Sequence, residues 1–245
     1  MPLVEFRNVS YAIGSLRVLH DFSVSIDEGD TLVLLGRSGS GKTTALKLTN
    51  GTLQPTSGDV FVNGRTTREW DPVQLRRSIG YVIQDVGLFP HFSVGDNIAL
   101  VPRLLRRPER EIDNRVDTLL DLIGMSPGQF RDRFPHQLSG GQRQRVGVAR
   151  ALAADPPVLL LDEPFGALDP VTRWELQGQF IDLRNALNKT SVFVTHDIRE
   201  ALRVGSRIAV LSAGGIECIA TPSTFHNATT PEARAFLATL QSDAQ

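Results

Sequence analysis

The sequence predicts an α/β fold in which a mostly parallel sheet carries a phosphate-binding turn, antiparallel strands come first, and a helical segment is inserted partway. Three observations predict it. Residues 31–46 (Thr-Leu-Val-Leu-Leu-Gly-Arg-Ser-Gly-Ser-Gly-Lys-Thr-Thr-Ala-Leu) pass from an apolar run through a glycine-rich turn into good helix formers, the order of a buried strand, a loop and a helix start. Val158-Leu-Leu-Leu-Asp-Glu163 is a second continuous apolar run, the pattern of a parallel strand buried on both faces, and it ends in two carboxylates. Between them Ile112, Val116, Leu119, Leu120 and Ile123 recur at helical spacing, and Gly124 supplies the stop.

Taken in order, Val4 and Phe6 alternate with Glu5 and Arg7, and Phe22, Val24 and Ile26 alternate with Ser23 and Ser25, so both stretches read as half-buried antiparallel strands. Tyr11 falls in a short polar connection between them, where it can cap the sheet edge or lie flat against a purine. Asp59 to Gly64 reads as a strand entering an Asn-Gly turn, and Ser78 to Gln84 as an apolar strand ending in a polar amide. From Asp85 to about Ala154 helical spacing takes over, punctuated by Pro90, Pro102, Pro108, Pro127 and Pro135. Leu138-Ser-Gly-Gly-Gln142 then leads into a helix over 143–154, with Ser139 as its N-cap. After the Asp162-Glu163 pair, Ala167-Leu-Asp169 and Pro170 turn the chain into a helix whose inward stripe is Leu176, Phe180, Leu183 and Leu187. Ser191 to Thr195 is a β-branched strand that delivers His196 and Asp197 at its end. Arg207 to Leu211 and Gly215 to Ala220 close the sheet, and Glu232 to Leu240 forms a last helix.

The chemistry concentrates at the first glycine-rich turn. Gly36 to Thr43 match G-x-x-x-x-G-K-[ST], with Gly36, Gly39 and Gly41 free to curl the backbone and Arg37, Ser38 and Ser40 between them. Successive N–H groups then face one anion, a polyphosphate, and the following helix adds partial positive charge. Lys42 supplies a full charge for the β- and γ-phosphates, and the Thr43 hydroxyl, followed by Thr44, is a hard oxygen donor suited to Mg²⁺. Ser139 with Gly140 and Gly141 opens a second helix start suited to an anion, because few side chains cover its first N–H groups. Asp162 and Glu163 sit where the carboxyl end of a buried strand collects ligands, Asp162 for the Mg²⁺ shell and Glu163 for the attacking water. His196 reaches the same edge, within range of the γ-phosphate.

Composition bounds the answer. A chain of 245 residues that is 41% hydrophobic builds a substantial core. A net charge of −1 gives no general attraction to nucleic acid, and the basic cluster Arg103 to Arg110 reads as a solvated helix face. The single Cys218 excludes an internal disulfide, and no signal-type segment opens the chain, so a reducing cytoplasm is expected. No apolar run approaches the roughly 20 residues that span a bilayer. Any role at a membrane is therefore expected to come through a partner.

Together these residues resemble the ATP-binding subunit of an ABC transporter over essentially the whole chain. The resemblance implies one ATPase domain over 1–245: a P-loop NTPase core (1–84 and 155–245) with a mostly parallel sheet and an N-terminal antiparallel β-subdomain, and an inserted α-helical subdomain at about 85–154. It implies that Tyr11 stacks on adenine, that Gly36, Arg37, Ser38, Gly39, Ser40, Gly41, Lys42, Thr43 and Thr44 form the Walker A loop and that Gln84 is the Q-loop glutamine near Mg²⁺. Leu138, Ser139, Gly140, Gly141 and Gln142 match the signature motif in full, Asp162 the Walker B aspartate, Glu163 the catalytic glutamate, Ala167 to Asp169 the D-loop and His196 the switch histidine. Catalysis then falls to Glu163, His196, Lys42 and Gln84, nucleotide binding to the loops and Asp169, and Mg²⁺ to Thr43, Gln84 and Asp162, with ATP and Mg²⁺ as cofactors. Two phosphate-facing loops that one compact chain cannot bring to one nucleotide imply a homodimer, or a heterodimer with a paralogue, that closes on ATP. Transmembrane permease subunits and a solute-binding protein are the further partners, with no nucleic acid, and the place is the inner face of the cell membrane.

Residues 79–102 and 134–142 are similar in wording to importers of glycine betaine, choline and carnitine, although methionine, polyamine and oxyanion importers share much of it. Gln84 to Asn97, with Leu88, Phe89 and Phe92 partly uncovered, is the expected docking surface for the permease. Many osmoprotectant ATPases continue into a C-terminal pair of cystathionine-β-synthase-type domains. The sequence ending at Gln245 leaves no room for them, so osmotic gating through this subunit is not expected. A soluble ABC ATPase acting on nucleic acid would usually carry a long coiled coil or two cassettes, and a metabolic P-loop kinase leaves Leu138 to Gln142 and His196 unexplained.

Overall fold

Local pattern becomes structure strand by strand in the computed structural model, which describes residues 2–84, 86–166 and 168–242, apart from the side chains of Leu183, Asn185, Gln241 and Ser242. Asp85, at the expected start of the helical segment, Ala167 of the expected D-loop and the Leu183 side chain of the inward stripe lie outside the described residues. The elements run β1 (Val4–Ile13), β2 (Leu16–Ile26), β3 (Thr31–Gly36), α1 (Lys42–Thr49), β4 (Ser57–Val62), β5 (Arg65–Thr66), α2 (Pro72–Arg77) and β6 (Ile79–Val82). They continue with α3 (Val94–Leu104), α4 (Glu109–Leu122), α5 (Pro127–Phe130), α6 (Gly140–Leu152), β7 (Val158–Asp162), α7 (Pro170–Leu187), β8 (Thr190–Thr195), α8 (Ile198–Val204), β9 (Arg207–Ser212), β10 (Gly215–Ala220) and α9 (Pro231–Ser242). The helices α2 and α8 leave no mark in the sequence pattern, because each is too short for a hydrophobic period to register.

The chain divides into two compact units, residues 1–76 with 188–245, and residues 77–187. In the first, an antiparallel sheet is ordered β2-β1-β4-β5, and a second set of strands is ordered β10-β9-β3-β8. Its core strand β3 is buried at every residue and runs parallel to both β8 and β9, which is why 31–36 reads as an unbroken apolar run. The Asn63-Gly64 turn that joins β4 to β5 has both residues at positive φ, 52° and 73°, as a tight hairpin of right-handed twist requires. Tyr11 lies inside β1, paired with Leu19, and not in a connection, because the strand ladder continues to Ile13 before the chain turns at Gly14.

In the second unit β6 and β7 pair in parallel, with Ile79 opposite Val158 and Val82 opposite Leu161. Against β6 packs α6, which α3 and α4 cover in turn, and Ile98, Ile112, Val116, Leu119, Leu120, Val146 and Ala149 are buried among these helices. The inward stripe of α7 is carried by Leu176 and Phe180, both buried, and Phe180 meets Phe165 edge-on at 6.4 Å between ring centroids.

Ahead of α3 the segment 86–93 has no regular structure of its own and is tied down by two side chains: Arg150, whose guanidinium donates to the carbonyls of Val86 and Gly87 at 2.6 and 2.7 Å, and Asn97. Asn97 is fully buried; its Nδ2 donates to the carbonyls of Phe89, Phe92 and Ser93 at 3.2, 3.2 and 2.9 Å, and its Oδ1 accepts from Phe89 N–H at 2.8 Å. Asn97→Leu, which fits a similar volume but satisfies none of these groups, is expected to cost about 2–4 kcal/mol. The check is a denaturant melt together with faster hydrogen exchange over 86–93; an unchanged midpoint refutes the role.

Candidate functional site

In the first unit the phosphate loop follows directly from the end of β3. Gly36 leaves no room for a side chain, since a Cβ there would stand 2.6 Å from Leu211 O and 2.6 Å from Ser40 Oγ. Gly41 has φ 98°, a left-handed value that costs glycine little, and a Cβ would meet Leu19 Cδ2 at 2.5 Å. At Gly39, with φ 81°, a Cβ would meet nothing within 4 Å, so the concave side of the loop is open. Among the described residues the amide N–H groups of Ser38, Gly39 and Gly41 have no protein acceptor, whereas that of Ser40 turns back to Arg37 O at 3.2 Å.

The buried Oγ of Ser40 also has no hydrogen-bond partner among the described residues. An orphaned hydroxyl of this kind costs about 1–3 kcal/mol in a folded protein, so its persistence in a loop of open amides fits an anion that belongs there. Lys42 is 5% exposed, and its Nζ donates to the carbonyls of Gly36 and Arg37 at 2.7 and 2.8 Å. The ammonium is thereby drawn over the loop. Thr43 and Thr44 are half-buried in the first turn of α1.

The parallel pairing of β3 with β8 sets Leu35 beside Thr195, so the next residues, Gly36 and His196, leave the sheet side by side at its carboxyl edge. His196 is exposed there. The structure thus brings the phosphate loop and His196 together within one unit. Tyr11 is half-exposed in the antiparallel sheet of the same unit.

The second unit carries the other set. Asp162, 7% exposed, is the last residue of β7, and the Tyr81 hydroxyl donates to its Oδ2 at 3.4 Å. Burial, and then the Asp162 charge, push the Tyr81 phenol well above its ordinary value, so it remains a donor across all working pH. Sequence reasoning missed Tyr81; the available signal was one hydroxyl in the otherwise apolar strand 79–82. Glu163 follows with φ 45°, a left-handed conformation that costs a non-glycine residue roughly 1–2 kcal/mol, and its carbonyl accepts from Gly166 N–H at 3.1 Å. Backbone strain of this kind lets the chain leave the strand direction directly after Asp162. Gln84 is exposed beyond β6.

Ser139 caps α6, as its type suggests, yet the local bonding is richer than a bare helix start. Its Oγ accepts from Gln142 N–H at 3.2 Å while Gln142 Oε1 accepts from Ser139 N–H at 2.9 Å, a reciprocal capping box. The helix therefore begins at Gly140, three residues earlier than its apolar pattern, and among the described residues the N–H groups of Gly140 and Gly141 have no acceptor there. A cavity of ≈ 240 Å³ lined by Ser139, Gly141, Gln142, Arg145, Thr172 and Glu175 opens beside them. Asp169 caps α7 through Thr172 N–H at 3.0 Å, and that bond holds its carboxyl below the usual range. Among the described residues no cluster of three or more His, Cys, Asp or Glu side chains forms a metal site. The expected Mg²⁺ donors each offer a hard oxygen, Thr43 in the first unit and Gln84 and Asp162 in the second, with Asp162 the single carboxylate.

A family model described as ABC transporter matches residues 19–166. The glycine betaine/carnitine/choline transport ATP-binding protein OpuCA of Bacillus subtilis (strain 168) is 51% identical over 209 residues, 85% of this chain and 55% of that protein. This chain thus spans little more than half the length of that relative. The glycine betaine uptake system ATP-binding protein YehX of Escherichia coli (strain K12) is 49% identical over 214 residues, 87% of this chain and 69% of that protein. Among solved structures, a dimeric, post-hydrolysis ATP-binding cassette bound to ADP and Pi is 34% identical with a TM-score of 0.79, covering 89% of this chain and 98% of that one.

Proposed function

We propose, from the premise that the chain belongs to the ABC transporter family, that it is the ATP-hydrolysing subunit of an importer that takes up a quaternary-amine osmoprotectant such as glycine betaine or choline. The observation that carries the nucleotide half is the phosphate loop itself, with its open amides, its unpartnered Ser40 hydroxyl and Lys42 drawn across it. The solute half rests on the identities of 51% and 49% to ATP-binding proteins named for betaine, carnitine or choline transport.

In this reading Gly36 to Thr44 hold the triphosphate of ATP while Tyr11 stacks on its base. A second copy covers the nucleotide with its own Ser139 to Gln142, so that the γ-phosphate joins two chains and its loss after hydrolysis releases them; the solved cassette that still holds both ADP and Pi is a dimer, which supports this. Asp169 takes part in the same closed interface. Glu163 accepts a proton from water as the water oxygen bonds to the γ-phosphorus and the bond to the β–γ bridging oxygen breaks, leaving ADP and phosphate. Lys42 and His196 stabilise charge on the transferring group. Mg²⁺, when bound through Thr43, Gln84 and Asp162, supplies charge neutralisation of the phosphates. Tyr81 holds the Asp162 carboxylate in place for that task.

Opening and closing would drive permease subunits at the inner face of the cell membrane, through 84–97, where Phe89 is 40% exposed and Leu88 and Phe92 are half-exposed. No helix among the described residues is long and apolar enough to cross a membrane, which leaves translocation to those partners. A solute-binding protein would deliver the cargo, and no nucleic acid takes part. The alternative solutes are methionine, polyamines and oxyanions, since the nucleotide site is blind to cargo. The test is ATP hydrolysis by the complex reconstituted with its permease and binding protein. Stimulation severalfold by glycine betaine or choline is expected; stimulation by methionine or sulfate instead overturns the cargo.

A further inference from the structure

The phosphate loop is also held from outside, by a residue that none of the nucleotide motifs contains. Arg37, the second residue of the loop, donates from Nε to Glu232 Oε1 at 2.6 Å. Among the described residues it is joined by one other side-chain hydrogen bond to residues 37–41 from a neighbouring element, that of Lys42 Nζ in α1 to Arg37 O at 2.8 Å. The two partners are 195 residues apart in sequence, and both lie in the first unit.

Of the two partners the anchor on α9 is the more buried. Glu232 sits in the first turn of α9, where a carboxylate is favoured by the helix dipole. Its side chain is 15% exposed, against 72% for Arg37, and its backbone N–H donates to Glu217 Oε2 on β10 at 3.2 Å. Next to it Ala233 is fully buried, which seats the turn against the body of the unit. On the loop side the Arg37 carbonyl is one of the two that hold Lys42 Nζ. A side chain fixed to α9 and a carbonyl fixed to the catalytic lysine therefore belong to one residue.

We propose that Arg37 and Glu232 are a positioning pair that couples the phosphate loop to the C-terminal helix, so that seating of α9 and occupation of the loop by a nucleoside triphosphate favour each other. This rests on the nucleotide-binding reading of the loop. Thermodynamic reciprocity makes it a statement about both ends: if α9 sets the loop for phosphate, phosphate must steady α9 by the same factor. Arg37 is well exposed, so the coupling is modest, of the size of a good surface ion pair.

The experiment uses the full chain with ATP, and compares native protein with Glu232→Gln, Glu232→Ala, Arg37→Ala and the double variant Arg37→Ala/Glu232→Ala. Titration calorimetry gives ATP affinity, steady-state hydrolysis gives KM and kcat, and hydrogen exchange is followed over 231–242 with and without ATP. Glu232→Ala is expected to weaken ATP binding about three- to fivefold and raise KM alike, with kcat at saturating ATP retained. Glu232→Gln, which keeps an acceptor, should recover part of the loss, and the double variant should be no weaker than the worse single one. ATP should slow exchange of α9 in the native chain and leave it unchanged in Glu232→Ala. Additive losses, or α9 exchange indifferent to ATP in the native chain, overturn the proposal. Absence of ATP binding to the native chain would instead overturn the nucleotide reading on which it rests.

Discussion

Glu163→Gln is expected to bind ATP as well as the native chain while losing about 10²–10⁴-fold in hydrolysis, and to accumulate as a nucleotide-bound dimer. The amide keeps the volume of the carboxylate and can still orient a water, but it cannot take the proton that must leave as the γ-phosphorus is attacked. The left-handed backbone at φ 45° is no harder for glutamine than for glutamate, and the Gly166 N–H bond to the residue 163 carbonyl does not depend on the side chain. The folded loop should therefore survive, and only the chemistry should stop. Size-exclusion chromatography with and without ATP, beside a phosphate-release assay, reads both consequences. A variant that stays monomeric with ATP bound, or that hydrolyses at the native rate, sinks the role given to Glu163.

Lys42→Ala is expected to fail one step earlier. The ammonium is 5% exposed and within 2.8 Å of two loop carbonyls, so it is a buried donor whose removal takes away the buried positive charge drawn over the loop and leaves the Gly36 and Arg37 carbonyls without that donor. A hydrogen bond to a charged group contributes about 1.5–3 kcal/mol, so ATP affinity should fall about 10- to 100-fold before any change in the bond-breaking step is counted. Calorimetric titration of the variant with ATP tests this, with a thermal melt to confirm that α1 still folds. Native affinity in a folded variant would show that the open amides alone hold the phosphates.

Both variants concern residues that are legible in the sequence, because the physics that selects them is local. A turn that curls its amides around an anion needs glycines at fixed intervals and a lysine at the helix start, and a buried strand that ends at a ligand edge needs an apolar run followed by an acid. Gly36 to Thr43 and Val158 to Glu163 satisfy those demands within a few residues each, as do the α4 stripe and its Gly124 stop, where φ is 70°. The capping residue Ser139 is legible for the same reason. Its reciprocal bond with Gln142 is less so, although the two are only three residues apart, since the motif that contains Gln142 draws notice to its place and not to its reach.

The sequence by itself thus determined the α/β class, the order of the longer elements and the residue types of the candidate phosphate loop, because period, capping and turn chemistry act over one or two turns of chain. What only the tertiary structure decided are the relations between segments far apart. The β3–β8 register, which sets His196 beside Gly36, follows from the packing of two strands more than 150 residues apart in sequence, and no local period encodes it. Tyr11 is strand and not connection because β2 and β4 both pair with β1 and carry its ladder through a polar stretch. The Tyr81–Asp162 and Arg37–Glu232 contacts and the strained turn at Glu163 belong to the same kind. Each depends on which side chains long-range burial brings within about 3 Å, and the free energy that fixes them is spread over the whole core, not written in the residues that touch.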